Sequence, residues 1–121
     1  MELKSKQYSL LHNPRCKKSR EGLEFLKSKR IEFDTILYLK NKLSKREIEI
    51  LIDKSGLKPI NLIRKQEKIW KELFEPKLLS KNEIIQAIFD HPKLMQRPFF
   101  ISKTKAILAN PPEECLKILL H

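Results

Sequence analysis

YSLLHNPRCKKSREGLEFL, Tyr8 to Leu26, joins a short apolar run to a helical pattern through a turn, with a cysteine at the junction. Tyr8 to Leu11 suits a buried strand, and His12-Asn13-Pro14 ends it. From Cys16 onward the period changes. Ser19, Gly22, Leu23 and Leu26 share one stripe, while Lys17, Lys18, Arg20, Glu21 and Lys27 face away from it. Ile31 to Leu39 (IEFDTILYL) is rich in β-branched and aromatic residues and reads as a second strand. Strand, helix and strand over these lengths call for a right-handed crossover and parallel pairing.

Outward from this unit, two helix starts carry the same signal. Ser44-x-x-Glu47 and Ser80-x-x-Glu83 are capping boxes, followed by Ile48, Leu51 and Ile52 and by Ile84, Ile85 and Ile88 at helical spacing. Gly56 should stop the first helix, and Pro59 can open another. Asn61 to Phe74 continues as one or two short helices, with Leu62, Ile69, Leu73 and Phe74 packing and Trp70 in the core or half-buried. After His91-Pro92, Phe99 to Ile101 and Ala106 to Leu108 flank a polar loop and read as a hairpin. Pro111-Pro112-Glu113-Glu114 opens a last helix, its acids complementing the helix dipole. The order is βαβ, a helical insert, then ββα, an α/β fold.

A chain of 121 residues, 40 % apolar, reads as a single domain over residues 1–121 with room for a real core. No stretch reaches the roughly 18 apolar residues that span a membrane. MELKSKQYSL has no apolar h-region, so no signal peptide is expected. Two cysteines outside any paired framework place the chain in a reducing cytoplasm. No Cys or His pairs fall at ligand spacing, so no metal is expected, and His91 and His121 read as surface or capping groups. The net charge of +11 invites a nucleic-acid reading. Its distribution argues against one, because lysines alternate with glutamates along the whole chain and only Tyr8, Phe25 and Phe33 interleave with them in the first 36 residues. General attraction for anions remains.

Cys16 stands out because basic residues surround it. A thiol attacks as its thiolate, and at a free pKa of about 8.5 little of it is ionised at neutral pH. Lowering that to about 6.5 requires roughly 2.7 kcal/mol of preference for the anion. A helix N-terminus contributes about 0.3–1 kcal/mol, or up to about 2 when partly buried, and free N–H groups and nearby cations can supply the rest. The strand–turn–helix position also brings the side chain to the end of a sheet, where open α/β folds bind ligands. On spacing and charge alone, an inert cysteine buried at a helix start stays open as the alternative. Cys115, in EECLKILL, falls beside Leu116 and Leu119 on the packed face of the last helix and reads as core.

HNPRCKKSR, ILYLKNKLSKREI, LIRKQ, HPKLMQRPFFI and ILANPPEECLKIL, in this order and spacing, resemble the glutaredoxin-coupled arsenate reductase (ArsC-like) family over nearly the whole chain. The resemblance implies a thioredoxin-like fold with a helical insert between strands 2 and 3. It makes Cys16 the catalytic nucleophile, with His12, Asn13 and Ser19 supporting its thiolate, the Ser19 hydroxyl bonding near the sulfur. Arg64 and Arg97 match two of the family's substrate-side arginines, and a planar guanidinium fork suits a tetrahedral oxyanion. Pro98 matches the cis-proline that faces the active cysteine. One position departs: Asn110 stands where the family's reductases usually carry another arginine, which removes one charge from the anion pocket.

The resemblance therefore implies a thiol oxidoreductase without a tightly bound cofactor, and the lack of coiled-coil heptads in the sequence makes a monomer the expectation. Its thiolate would attack a small oxyanion, and an external thiol, glutathione and then glutaredoxin, would release the product. Ser19 occupies the resolving position and cannot attack sulfur. Two alternatives stay open. One is a non-enzymatic regulator of the same fold that binds RNA polymerase, although such proteins often carry a Cys-x-x-Cys switch that Cys16-Lys17-Lys18-Ser19 cannot form. The other is a reductase of mixed disulfides.

Overall fold

A computed structural model describes residues 7–75 and 77–119. The expectations made for the first residues and for His121 lie outside the described residues. The chain divides into two compact units, one formed by Lys42–Gln96 and the other by the segments before and after it. The insert foreseen between strands 2 and 3 is thus compact in itself.

The discontinuous unit holds β1 (Ser9–Leu11), α1 (Lys17–Ser28), β2 (Asp34–Ile36), β3 (Phe99–Ile101), β4 (Ala106–Leu108) and, after a 3-10 turn at Pro112–Cys115, α5 (Leu116–Leu119). The sheet order is β2-β1-β3-β4. β1 pairs in parallel with β2, Leu10 opposite Thr35, and antiparallel with β3, Leu10 opposite Phe100. β3 then pairs antiparallel with β4, Phe100 opposite Ile107. This is the βαβ and ββα arrangement anticipated from the pattern.

β2 is shorter than the nine-residue stretch of suitable composition. Its ladder is limited by β1, which stops at Leu11, and is flanked by the Asp34 N–H donating to the Tyr8 carbonyl and the His12 N–H donating to the Ile36 carbonyl. Leu37 then turns the chain, its carbonyl accepting from the N–H groups of Lys40 and Asn41. Propensity marked strand-compatible residues, but the partner set the length.

Leu10, Leu26, Phe100, Ala109, Cys115 and Ile118 form the core of this unit, with Leu23 packed against it. Tyr8 stacks on Phe100 with ring centroids 5.1 Å apart. Full burial of a side chain such as Leu10 or Phe100 is worth about 1.5–3 kcal/mol. The glycine-free hairpin between β3 and β4 closes through Ser102, whose Oγ accepts from the N–H groups of Thr104 and Lys105. Cys115 is fully buried, as its context suggested, and Ile118 and Leu119 pack with it on the same core, whereas Leu116, expected on that face, is 38 % exposed.

The helical unit holds α2 (Lys45–Ser55), α3 (Lys68–Leu73) and α4 (Lys81–Asp90), with 3-10 turns at Pro59–Leu62 and Pro92–Leu94. Both capping boxes form, the Ser44 and Ser80 hydroxyls accepting from the N–H groups of Glu47 and Glu83. Gly56 ends α2, the stop foreseen for it, in the left-handed conformation at a φ of 68°. Ile48, Leu51 and Ile52 are buried on α2, and Ile84, Ile85, Ala87 and Ile88 on α4. Lys81 and Asp53 pair between these helices at 2.8 Å. Trp70 is core and stacks on Phe74. Leu73, expected to pack, is half exposed, because α3 ends there and Phe74 takes the place against Trp70. Ile63 is buried instead, in the bridge it makes with Met95. Among the described residues no helix is long and apolar enough to cross a membrane.

Candidate active site

The site is built at the β1–α1 junction. The Asn13 carbonyl accepts from the Cys16 N–H at 3.0 Å, and the Asn13 Oδ1 accepts from the Arg15 N–H at 3.1 Å, so one residue folds the loop with both of its oxygens. Cys16 is the N-cap of α1, extended at φ −95° and ψ 123°, and its carbonyl accepts the first helical hydrogen bond from Arg20. The Arg20 guanidinium reaches back to donate to the Pro14 carbonyl at 2.9 Å. The nucleophile candidate is therefore carried by a loop tied at both ends.

Ser19 is fully buried, one turn into α1. Its Oγ accepts from the Asn13 N–H at 2.9 Å and lies 2.7 Å from His12 Nδ1. The hydroxyl is thus spent on the loop rather than on the sulfur. The contribution of Ser19 to the thiolate runs through its backbone N–H. His12 is almost entirely buried, and that burial is the largest influence holding its pKa below the ordinary imidazole value. The charges of Arg20 and Lys27 act in the same direction, against a weaker opposing bond from Ser19. A neutral His12 acts here as a fixed strut beneath the loop.

Cys16 itself is partly exposed. Burial is the largest single influence on its thiol and opposes ionisation. Hydrogen bonding from Arg97, the Ser19 N–H, the positive charge of Arg97 and the Lys18 N–H act together in the other direction and prevail. The thiol pKa therefore falls below its ordinary value. These donors favour the anion over the neutral thiol. Cys115 shows the contrast: burial pushes its thiol up to about 12.

Arg97 is brought to the sulfur by the segment entering β3. The Arg97–Pro98 peptide is cis, and the Pro98 carbonyl accepts from the Ala109 N–H at 2.8 Å. Gly22 on α1 faces the proline ring so closely that a Cβ there would lie 2.9 Å from Pro98 Cγ. Asn110 is exposed at the end of β4, and its bond to Pro111 is also cis. The sheet unit thus assembles His12, Asn13, Cys16, Ser19, Arg97 and Pro98. Arg64 belongs to the helical unit, where it forms an ion pair with Glu67 and its N–H donates to the Leu94 carbonyl.

Two contributors escaped sequence reasoning. Arg20 read as one more outward-facing cation, and nothing in its spacing announces a carbonyl partner six residues back. Gly22 did leave a signal, a residue without a side chain in the middle of a buried helical stripe, where a close approach is the usual reason.

Comparison with known proteins agrees with this architecture. The ArsC family model matches residues 11–118. The chain is 38 % identical over 117 residues to the uncharacterized protein YfgD of Escherichia coli K12, covering 95 % of this chain and 98 % of that one. It is 37 % identical over 112 residues to an arsenate reductase of Haemophilus influenzae, covering 91 % and 97 %. Among solved structures, an arsenate reductase from Vibrio cholerae superposes with a TM-score of 0.87 at 34 % identity, covering 92 % of this chain and 96 % of that one. With its thioredoxin-like sheet and a cysteine at the head of the first helix, the chain belongs to the ArsC family.

Proposed function

We propose that this protein is a thiol-dependent reductase of a small oxyanion, arsenate in the first instance, with Cys16 as nucleophile. The observation that carries the reading is the Cys16 thiol held below its ordinary pKa with the Arg97 guanidinium hydrogen-bonding to it. A cation that lowers a thiol pKa also lies where the oxygens of an attacked oxyanion would gather charge. The arsenate reductases among its relatives supply the substrate class.

In this mechanism the Cys16 thiolate attacks arsenic(V) and a sulfur–arsenic bond replaces one arsenic–oxygen bond, the oxygen leaving as water once protonated. Because Ser19 offers no resolving thiol, the electrons come from outside. A first external thiol, glutathione, condenses on arsenic with loss of a second water. A second thiol, from glutaredoxin or a similar donor, attacks the glutathione sulfur. The attacking thiolate supplies the pair of the new disulfide bond, the arsenic–glutathione sulfur bond breaks with its pair left on arsenic, now arsenic(III), and the mixed disulfide departs. Hydrolysis of the remaining sulfur–arsenic bond returns Cys16 and arsenite. No tightly bound cofactor is required.

Arg97 stabilises the adduct's charged oxygens. Arg64, whose Nη1 donates to Glu67 within the helical unit, is the second guanidinium that the family resemblance assigns to the oxyanion. Asn110 contributes a neutral donor in place of a charge, which lowers the affinity for a highly charged anion without touching the thiol.

The test is alkylation of Cys16 as a function of pH, with and without arsenate, alongside turnover with a thiol donor. A depressed pKa, protection by arsenate and loss of turnover in Cys16→Ser support the reading. Undiminished turnover in that variant refutes it. Asn110 and the basic surface favour a second reading, a protein that binds RNA polymerase without catalysis. Recovery of polymerase in a pull-down, with no arsenate-dependent oxidation of the thiol donor, selects it. Faster reduction of a glutathionylated peptide than of arsenate selects a mixed-disulfide reductase on the same cysteine.

A further inference from the structure

Leu78 is the extreme case among the large apolar side chains that reach solvent. It is 99 % exposed, whereas Leu39, Leu57, Leu73 and Leu116 are at most 50 % exposed. An isolated leucine on a surface needs no explanation. Leu78 is not isolated: it lines a pocket of about 390 Å³ within the helical unit, on the connection between α3 and α4. Clefts of about 300 Å³ and above accept compact apolar groups. Trp70 of α3, Ile60 of the Pro59–Leu62 turn and Leu79 supply the rest of the apolar lining. Trp70 is core and stacks on Phe74, so its part of the lining is fixed before anything binds. The same pocket carries both signs of charge, with Glu75 on the one hand and Lys65 and Lys77 on the other. Lys77 also favours the ionised form of Glu83.

We propose that this face is a self-complementary contact between two copies of the chain, Leu78 of each seating in the Trp70 pocket of the other. A two-fold contact presents the same patch from both sides, so that patch must hold the knob and the hole together, and charges that match their own copies. This one does. Glu75 of one copy meets Lys65 or Lys77 of the other, whereas a uniformly acidic partner would be repelled by Glu75 and a uniformly basic one by the two lysines. Seating both leucines takes two solvated side chains out of water and sets each beside a tryptophan, the residue type most enriched among interface anchors. One knob and one pocket per copy make a weak, concentration-dependent dimer rather than an obligate one. The net charge of +11 on each copy opposes the encounter, so the dimer forms best where salt screens long-range repulsion, with a Debye length of about 8 Å at physiological ionic strength. The contact lies within the helical unit and does not depend on the reading of Cys16.

Sedimentation equilibrium of the full chain at physiological salt tests this, with concentrations up to about 1 mM, the scale of a weak complex. The native chain should show a monomer–dimer equilibrium. Leu78→Asp should weaken it by about tenfold or more, because the change counts twice in each dimer and sets a charge against an apolar pocket. Far-UV circular dichroism should not move, since a side chain this exposed holds nothing in the fold. Charge provides the second arm. Glu75→Lys leaves only cations at the pocket, and Lys65→Glu with Lys77→Glu leaves only acids. Each of these variants should be monomeric alone, and an equimolar mixture of the two should associate at least as well as the native chain. A native chain that stays monomeric up to about 1 mM overturns the proposal. A dimer whose affinity Leu78→Asp leaves unmoved overturns it too, as do charge variants that self-associate like the native chain, or a mixture of them that does not associate.

Discussion

A Cβ on Gly22 would lie 2.9 Å from Cγ of Pro98 and 3.8 Å from Cβ of Ala109, so α1 approaches the strand entry at a distance that only glycine permits without a shift. Pro98 follows Arg97, whose guanidinium favours the Cys16 thiolate. The absent side chain therefore bears on the chemistry through one rigid ring.

Gly22→Ala sets two effects against each other. Alanine gains about 0.8–1 kcal/mol of helix propensity. Overpacking against a ring that cannot rotate away costs about 1–3 kcal/mol. The expected net result is a loss of about 1 kcal/mol, seen as a lower urea midpoint with unchanged far-UV circular dichroism. The Cys16 pKa should rise as Arg97 is displaced. A variant more stable than the parent, with the thiol pKa unmoved, would show that the ring gives way freely.

The two cysteines should be separable by reagent. Cys16 is accessible and ionises below its ordinary value, whereas Cys115 is sealed in the core with its thiol pushed up to about 12. Iodoacetamide at neutral pH should modify one site in the native protein and two in urea, read by intact mass. Double labelling without denaturant would mean that the α5 end opens far more readily than its burial implies.

His12 fixes the sign of an acid effect. Its folded pKa lies below the ordinary value of 6.5, chiefly through burial. Between those two values the unfolded chain binds the extra proton, so stability rises with pH across that window. The stabilisation is complete above about 6.5 and is lost as pH falls through the folded pKa. Urea midpoints should drop on acidification from neutral pH, and His12→Gln should flatten that dependence while lowering stability throughout. An unchanged slope in the variant would assign the acid loss to other groups.

Helix caps offer a test confined to the other unit. Ser44→Ala and Ser80→Ala each remove the acceptor for an N3 N–H and break one half of a reciprocal pair. Each should cost about 1 kcal/mol, within a range of about 0.5–2. Because Lys81 beside the second cap pairs with Asp53 on α2, the double variant need not be additive. Thermal melts of the singles and the double variant measure both quantities.

Local chemistry made much of this legible. Both capping boxes, the Gly56 stop and the hairpin strands lie where sequence alone put them, because each depends on residues within one turn or one strand. Cys16 at the head of α1 was legible for the same reason. What escaped depends on partners distant in sequence. β2 was overestimated because β1, not its own composition, sets its length. The Ser19 hydroxyl, expected to bond near the sulfur, bonds Asn13 and His12 of the loop that carries the sulfur. The arrival of Arg97 beside Cys16, 81 positions earlier, came from resemblance alone and is explained physically only by β3 lying next to β1.

That juxtaposition yields the most direct prediction. Arg97 favours the Cys16 thiolate both as a hydrogen-bond donor and as a charge. Arg97→Gln removes the charge and shortens the donor, while burial, which opposes ionisation, remains. The thiol pKa should therefore rise and alkylation at neutral pH should slow. Arg97→Lys keeps the charge but loses the planar fork, so its thiol should stay closer to native while oxyanion protection weakens. Measuring the alkylation pH profile of both variants, with and without arsenate, separates the two roles. If Lys restores protection as fully as the native residue, the fork is dispensable and point charge is enough; if Gln leaves the profile unmoved, the helix N-terminus alone activates Cys16.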